Sequence, residues 1–318
     1  MSKLINPFTD WGFKRLFGRE ESKPVMIDLL NSILTDGKKI VDIRYDNKER
    51  TPAEADNRTV IYDIFCTTSD NRHIIVEMQY GRQTFFRERS IFYLTRSIEG
   101  SSEKGKWDYQ FDEVLLIAFL KHDDWRISDK LRTDVMLKDI ETNEVFSNRL
   151  RFIYLQMPLA ESMKEADCVT DLDCWIYNLN NMEKLDELAF KDQKPIFNDL
   201  EQMATRRFMT WDENVAYQRS LKRLWDYDAV MDGERTYARE QGHKEGMAAG
   251  RAEGLAEGLA EGRAEGRAEG LAEGRAEGLK EGLKEGFERT AKNMLQKGFS
   301  IDEIADCTGL SKAEIENL

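Results

Sequence analysis

Two strand-like runs decide the fold: Val60-Ile-Tyr-Asp-Ile-Phe-Cys66 and His73-Ile-Ile-Val-Glu-Met-Gln-Tyr80. Both are rich in β-branched and aromatic residues, and the segment between them, Thr68-Ser-Asp-Asn-Arg72, is typical of a turn. The pattern therefore predicts a β-hairpin. Apolar strands of this kind are usually covered on both faces, so a carboxylate within them must be protonated, paired or bound to a cation.

Three polar side chains interrupt the apolar pattern of these strands: Asp63, Glu77 and Gln79. If the loop has an odd number of residues and centres on Asp70, Asp63 faces Glu77 directly, with Cβ atoms about 5 Å apart. Gln79 then lies on the same face of the sheet. A loop of even length would place Asp63 and Glu77 on opposite faces. The odd register predicts a site for a hard divalent cation, Mg²⁺ or Mn²⁺, because two like charges so close repel without one.

This core, Asp63 followed by Glu77-Met-Gln79, resembles that of the PD-(D/E)XK nucleases, with glutamine where lysine is usual. Two flanking stretches extend the resemblance: Asn6-Pro-Phe-Thr-Asp-Trp-Gly-Phe-Lys-Arg-Leu-Phe-Gly18 and Phe85-Phe-Arg-Glu-Arg-Ser-Ile-Phe-Tyr-Leu94. In this order the three stretches are similar to the Rpn family of recombination-promoting nucleases, also called PD-(D/E)XK nuclease family transposases. The resemblance implies an α/β fold with a restriction-endonuclease-like core, in which helices flank a mixed central sheet.

The resemblance also implies a catalytic metal site. Asp63 and Glu77 would hold the metal together with the backbone carbonyl of Met78, and Asp10 in the first helix would add a further acidic ligand. A bound divalent ion lowers the pKa of water and acts as a Lewis acid on a phosphoryl oxygen. The implied activity is therefore metal-dependent hydrolysis of DNA phosphodiester bonds, in recombination, mobile-element biology or defence against foreign DNA.

The glutamine at position 79 is the main departure from the family pattern. Gln79 carries no positive charge, so it can only orient a water or a phosphate oxygen and leaves more of the activation to the metal. Lys14 lies one helical turn after Asp10 and is expected to reach the same site or a phosphate. The three histidines are scattered along the chain and suggest no nucleophilic triad.

Three other interpretations stay open. Acidic side chains on one face of a hairpin also occur where that face is solvated, and a protein that keeps the fold can bind DNA without cutting it. Alternatively, the chain is an assembly protein that acts through its C-terminal repeats. In that case removing residues 242–318 abolishes function, whereas Asp63→Ala does not.

Composition limits how the chain can contact nucleic acid. The 318 residues carry a formal net charge of −13, so any DNA contact must use a local basic patch. The densest patch follows the hairpin and contains Arg82, Arg87, Arg89, Arg96, Lys104 and Lys106. A second patch contains Arg206, Arg207, Arg219, Lys222 and Arg223. For each patch, the alternative is a solvated helix face.

The four cysteines form no CxxC pair, and the N-terminus lacks the apolar core of a signal peptide. Both observations favour reduced thiols in a cytoplasmic protein. No apolar run reaches the roughly 20 residues that a membrane span needs.

Hydrophobic patterning divides the chain into four parts. Residues 1–160 form the nuclease-like core, 161–240 a helical region, 241–286 a tandem repeat and 287–318 a helix-turn-helix-like tail. Within the core, helices are expected over 8–35 and 84–99, and further strands over 39–45, 112–120 and 150–156. A short hairpin is expected from 135–138 and 144–146.

The repeat places glycine at every fourth residue from Gly242 to Gly286, mostly as Gly-Arg/Leu-Ala-Glu. Ala, Glu, Arg and Leu favour helix, but each glycine costs up to ~1 kcal/mol relative to alanine. A lone helix is therefore marginal. The array is either a self-associating helix, whose glycines permit close approach, or a frayed helical spacer. Near-identical units also predict that the repeat number varies between close relatives.

The tail reads as short helices with clear boundaries. Gly298 ends a helix over 289–297, and capping boxes begin new helices at Ser300 and Ser311. The last helix carries two glutamates and one lysine, which suits packing or homo-oligomerisation better than DNA contact. A short product started at Met231 or Met247 would contain the array and tail and would bind the full chain.

Overall fold

The computed structural model describes residues 3–46, 49–50, 60–81, 84–101, 110–122 and 127–318. Its contacts divide the chain into two compact units, Met1–Asp232 and Gly233–Leu318. The first unit is built on a mixed sheet of six strands with helices on both faces, which confirms the predicted α/β class.

The predicted hairpin is present with the odd register. Strand β4 (Ile64–Thr68) pairs antiparallel with β5 (His73–Gln79), and its partners include Ile64 with Val76 and Thr67 with His73. Asn71 in the turn adopts a left-handed conformation with a φ of 62°, which asparagine tolerates better than most residues. Extended by one residue, this register sets Asp63 opposite Glu77.

The first strand of the hairpin, predicted as one element over residues 60–66, is divided into two strands. Strand β3 (Val60–Ile61) pairs with β2 (Glu49–Arg50) in a separate two-stranded ladder, and β4 begins only at Ile64. The break has a visible cause at Asp63. Its side chain accepts the hydrogen bond from the backbone N–H of Met78, which an uninterrupted strand would satisfy with a backbone carbonyl.

Four more strands complete the sheet in the order β1-β4-β5-β6-β8-β7. Strand β1 (Ile43–Tyr45) lies antiparallel beside β4, and β6 (Val114–Leu120) lies parallel to β5. Strand β8 (Val145–Gln156) runs parallel to β6, and β7 (Arg132–Lys138) pairs antiparallel with β8. All seven residues of β6 are buried, as expected for a strand covered on both faces.

Two strand predictions need correction. Strand β1 is shorter than the predicted 39–45 because the Asn31 side chain binds both the N–H and the carbonyl of Ile40, in place of a strand partner. The segments predicted separately at 144–146 and 150–156 are one strand, β8. Its first half is largely exposed and is interrupted by the polar run Ser147-Asn-Arg149, so it lacks the apolar pattern that identifies a strand.

Helices cover the two faces of the sheet. One face packs against α1 (Asp10–Phe17), α2 (Lys23–Ile33), α4 (Asp171–Asn181) and α5 (Ile196–Ala204). Trp175 of α4 is central there, with ring centroids 6.1 Å from Phe17 and 4.9 Å from Phe197. The other face packs against α3 (Phe86–Ser101).

Helix α6 (Trp211–Gln296) begins in the first unit, where Tyr217 and Leu221 join the core of α1 and α2. The helical region predicted after residue 160 therefore shares one core with the nuclease-like part. In the second unit the array is helical, and a Cβ added at any glycine from Gly242 to Gly286 would meet no neighbouring atom.

The tail has the two predicted capping boxes, but the helix predicted over 289–297 is the end of α6 and not a separate helix. Helices α7 (Ile301–Thr308) and α8 (Lys312–Glu316) both begin with a capping box, at Ser300 and Ser311. Ile304 and Ile315 bury their side chains against Ala291 in a small core. Within the described residues, no helix has both the length and the apolar character needed to cross a bilayer.

Candidate active site

Asp63 and Glu77 meet where the β4–β5 ladder ends. The N–H of Met78 donates to Oδ2 of Asp63 at 2.9 Å, and the N–H of Asp63 donates to Oε1 of Glu77 at 3.2 Å. Each carboxylate thus accepts a backbone hydrogen bond from the opposite strand segment. These two bonds fix the side chains next to each other, as the odd register predicts.

Gln79 supports this pair from the same face of β5. Its Nε2 donates to Oε2 of Glu77 at 3.3 Å. Glu77 is only 1% exposed and Gln79 5%. Because the amide nitrogen is used by Glu77, the amide oxygen is the part of Gln79 that can accept a hydrogen bond from another group.

The electrostatics of the pair favour a bound cation. Burial raises the pKa of Glu77 to about 8, and the neighbouring charge of Asp63 adds to this rise. Burial also raises the pKa of Asp63, although the Met78 N–H and Lys14 act in the opposite direction. A buried and a partly buried carboxylate so close together cannot both be ionised cheaply near neutral pH unless a positive charge joins them.

Helix α1 brings Lys14 to the edge of the pair. Its Nζ lies 2.5 Å from Oδ1 of Asp10 and 4.0 Å from Oδ1 of Asp63. Asp10, expected as a further metal ligand, thus directs a carboxylate oxygen to Lys14. Among the residues that the structure describes, no three His, Cys, Asp or Glu side chains are grouped to hold a metal.

The donors present nevertheless fit a divalent cation held by two carboxylates and one backbone oxygen. The N–H and C=O of one strand residue point to the same neighbouring strand, so the Met78 carbonyl faces the side of Asp63. A donor set made only of oxygens suits Mg²⁺ or Mn²⁺, and Mg²⁺ usually keeps several waters or substrate oxygens in its shell.

These residues form one wall of a pocket of about 380 Å³. Two arginines also line it, Arg89 from α3 and Arg223 from α6. The guanidinium of Arg89 donates to the Tyr93 hydroxyl at 2.5 Å and lies 5.0 Å from the centre of that ring. The pocket therefore combines an acidic pair with cationic side chains, the arrangement needed to hold a phosphodiester beside a metal.

The first part of α6 closes one side of the pocket. The Tyr80 hydroxyl donates to Oδ2 of Asp228 at 2.8 Å, which fixes the end of β5 to the helix. Gly81 permits the close contact, because a Cβ there would lie 2.4 Å from Cζ of Tyr227. Ser220 accepts a hydrogen bond from the N–H of Trp11 at 3.2 Å, which joins α6 to α1.

The predicted site residues are distributed unevenly around this pocket. Asp63, Glu77, Gln79, Met78, Asp10 and Arg89 line it. Lys14 does not line the pocket but forms an ion pair with Asp63, which does. Arg87 does not line it and donates to the Ile127 carbonyl at 3.4 Å. Arg96 pairs with Glu99 at 2.5 Å. Arg82, Lys104 and Lys106 lie outside the described residues.

Sequence reasoning missed the contribution of α6 to the site. The sequence places Arg223 only in a separate basic patch and gives no signal that Tyr80, Ser220 and Tyr227 line the pocket. The hydrogen bond between Tyr80 and Asp228 spans 148 positions of the sequence. No local pattern carries that information, although the spacing of Arg223 and Tyr227 by one helical turn does place them on one face.

Comparison with known proteins agrees with this architecture. A family model described as PD-(D/E)XK nuclease family transposase matches residues 7–234. No curated protein and no solved structure gives a match. The matched range covers nearly all of the first unit and leaves the array and tail outside it.

Proposed function

The chain belongs to the PD-(D/E)XK nuclease family transposases, and from its site we propose that it is a metal-dependent DNA endonuclease. One observation carries the proposal. Asp63 and Glu77 are held side by side by backbone hydrogen bonds in a pocket that also contains Arg89 and Arg223. An acidic pair beside cationic side chains would serve the metal-assisted hydrolysis of a phosphodiester.

The proposed metal ligands are oxygen atoms of Asp63, Glu77 and Met78. The carboxylates of Asp63 and Glu77 and the carbonyl of Met78 would hold Mg²⁺ or Mn²⁺. A bound divalent cation supplies an activated water and withdraws charge from the phosphoryl oxygen. Gln79 holds Glu77 through its amide nitrogen and orients a water or a phosphate oxygen through the rest of its amide.

DNA contacts follow from the cations around the pocket. Arg89 and Arg223 enter from different helices and would hold the phosphates on either side of the cleaved bond. Lys14, Arg82 and Arg87 are proposed as further phosphate contacts. Because the chain is acidic, these local contacts are the main source of affinity, and binding should weaken as salt rises.

We also propose how the rest of the chain serves this activity. The array and tail would mediate homo-oligomerisation, and a short product started at Met231 or Met247 would bind the full chain through the same region. The unobstructed glycines of the array support close helix approach. The setting would be the cytoplasm, in keeping with four free cysteines, and the role recombination, mobile-element biology or defence.

Cleavage of supercoiled plasmid in Mg²⁺ or Mn²⁺ tests the proposal. Wild type should nick the plasmid, and Asp63→Asn and Glu77→Gln should abolish nicking. Asp199→Asn removes an exposed carboxylate on α5, far from these residues in the sequence, and serves as the matched control. Equal nicking by all variants would place the activity elsewhere or in a contaminant.

The other outcomes separate the alternatives. If wild type cleaves single-stranded or folded RNA but not plasmid, the substrate class is wrong. If it binds DNA without cutting any substrate in either metal, the chain is an inactive binding module.

A further inference from the structure

The proposed reaction needs a positive charge that position 79 does not supply. Cleavage places extra negative charge on the non-bridging oxygens of the phosphate, and preorganised cationic donors stabilise such charge strongly. The neutral Gln79 is already bonded to Glu77. The proposed metal would supply part of this charge, and a cationic side chain beside the pair would supply the part that the motif lysine usually gives; this inference rests on the proposed nuclease function.

Lys14 is placed for that task by a different element. Its Nζ lies 4.0 Å from Oδ1 of Asp63, and the side chain is 36% exposed. The ammonium therefore borders the acidic pair, and the side chain is partly exposed to the solvent from which a DNA backbone would arrive.

Helix α1 is a rigid support for this lysine. Thr9 caps its N-terminus by accepting a hydrogen bond from the N–H of Gly12 at 3.0 Å. Phe13 packs beneath the helix on Phe119 of the central strand β6, with ring centroids 6.0 Å apart. The backbone of Trp11 is bonded to Ser220 of α6. Lys14 thus begins from a fixed backbone position, which limits the entropy lost when its ammonium binds.

Asp10 gives the lysine a second carboxylate partner. The ammonium is 2.5 Å from Oδ1 of Asp10, one helical turn earlier, and so is shared between α1 and the acidic pair. A cation bound by Asp63 would repel the ammonium from that carboxylate but not from Asp10. Asp10 can therefore keep the ammonium beside the reacting phosphate.

We propose that Lys14 performs the charge-stabilising role of the motif lysine that Gln79 replaces, and that Asp10 is its positioning residue. In the complex with DNA, the Lys14 ammonium donates hydrogen bonds to a non-bridging oxygen of the cleaved phosphate. Arg89, which is oriented by Tyr93, serves phosphate binding. The charge comes from helix α1 and not from strand β5.

Single-turnover cleavage at saturating DNA tests this assignment. Lys14→Met keeps the length of the side chain but removes the charge, and it should slow the cleavage step by about 10²–10³-fold, the usual effect of losing one such donor. The DNA dissociation constant, measured in Ca²⁺ to prevent turnover, should change less than about tenfold, the effect of a single contact. Lys38→Met, an exposed lysine paired with Glu113, is the control and should leave both values unchanged.

Rescue from the strand distinguishes charge stabilisation from a structural role. The double variant Lys14→Met with Gln79→Lys returns an ammonium to the site from β5 and should recover at least about tenfold of the lost rate. Asp10→Asn should slow cleavage less than Lys14→Met and should leave the Mn²⁺-induced rise in melting temperature intact. A loss of that rise would instead identify Asp10 as a metal ligand.

Three results would overturn the assignment. If the wild type cleaves DNA and Lys14→Met cleaves it at the same rate, Lys14 has no role in the reaction, but the proposed nuclease function still holds. If Lys14→Met loses DNA affinity and cleavage rate to the same extent, and Gln79→Lys does not restore the rate, Lys14 only binds DNA. Absence of cleavage by wild type overturns the nuclease function and this assignment together. If Lys14→Met fails to fold, Lys14→Gln replaces it in every comparison.

Discussion

Replacing Glu77 with glutamine should make the metal-free protein more stable while it abolishes cleavage. Glutamine has nearly the same shape, can accept the hydrogen bond from the Asp63 N–H, and can donate to Gln79 after that amide turns over. What disappears is a negative charge that the fold has to bury beside Asp63. An active-site substitution that stabilises is expected where function requires two like charges in one place.

The magnitude follows from the shift in the pKa of Glu77, from an ordinary 4.5 to about 8. A carboxyl whose pKa is raised on folding makes its full contribution to the free energy of unfolding at pH values below its pKa in the unfolded state. That contribution is lost as the pH rises toward its pKa in the folded state. Between pH 4.5, the ordinary pKa, and pH 7.5 the stability lost corresponds to about three pH units at 1.36 kcal/mol each, or roughly 4 kcal/mol. Since part of this reflects coupling to Asp63, we expect Glu77→Gln to gain about 2–4 kcal/mol at pH 7.5 and less than about 1 kcal/mol at pH 5.

Urea unfolding in EDTA at these two pH values measures the effect. All six tryptophans lie at or before Trp225, so their fluorescence reports the first unit and not the array. Glu187→Gln is the control, because Lys191 lowers the pKa of that exposed carboxyl and its removal should bring no gain at pH 7.5. A Glu77→Gln variant that is less stable at pH 7.5, or that shows the same change at both pH values, would refute the reasoning.

Three further predictions concern the site and the array. Mg²⁺ should raise the melting temperature more at pH 8 than at pH 6, because protons compete with the cation for Glu77; an equal rise at both pH values would argue against carboxylate ligation. Gly81→Ala should destabilise the first unit by about 1–3 kcal/mol in urea unfolding, since its Cβ forces the Tyr227 ring away, and Tyr227→Ala in the same chain should restore part of the loss. Replacing Gly254, Gly258, Gly262 and Gly266 with alanine should raise the helical circular dichroism and the melting temperature of the array, because no atom obstructs the new Cβ and each alanine stabilises the helix by up to about 1 kcal/mol; a fall in helicity would contradict this.

The hairpin was predictable because two local signals agree on it. The turn between Thr68 and Arg72 locates the hairpin but leaves an odd and an even loop open; the alternation of β-strand side chains fixes which residues share a face once the loop is odd. The structure has the odd register, which sets Asp63 opposite Glu77. The capping boxes at Ser300 and Ser311 were predictable for the same reason, because side chain and backbone partners lie three residues apart.

Features that depend on distant partners escaped prediction. Strand β1 begins late because Asn31, nine residues before Ile40, takes over the backbone groups of that residue. Arg223 reaches the site only because α6 packs across the end of β5, through Tyr80 and the space left by Gly81. In both cases a side chain decides the outcome against what local propensity favours.

The break at Asp63 connects the error in the predicted strand with the success of the predicted site. A backbone carbonyl in place of the Asp63 side chain would continue the β4–β5 ladder and leave the Met78 N–H with an ordinary strand partner. Because the carboxylate accepts that N–H, the chain leaves the ladder, and both carboxylates gain an opening to the pocket. Asp63→Ala would therefore remove a ligand and also orphan a backbone donor, at about 1–3 kcal/mol. Asp63→Asn keeps an acceptor for Met78 and removes only the charge, so it separates the loss of metal binding from the loss of the fold.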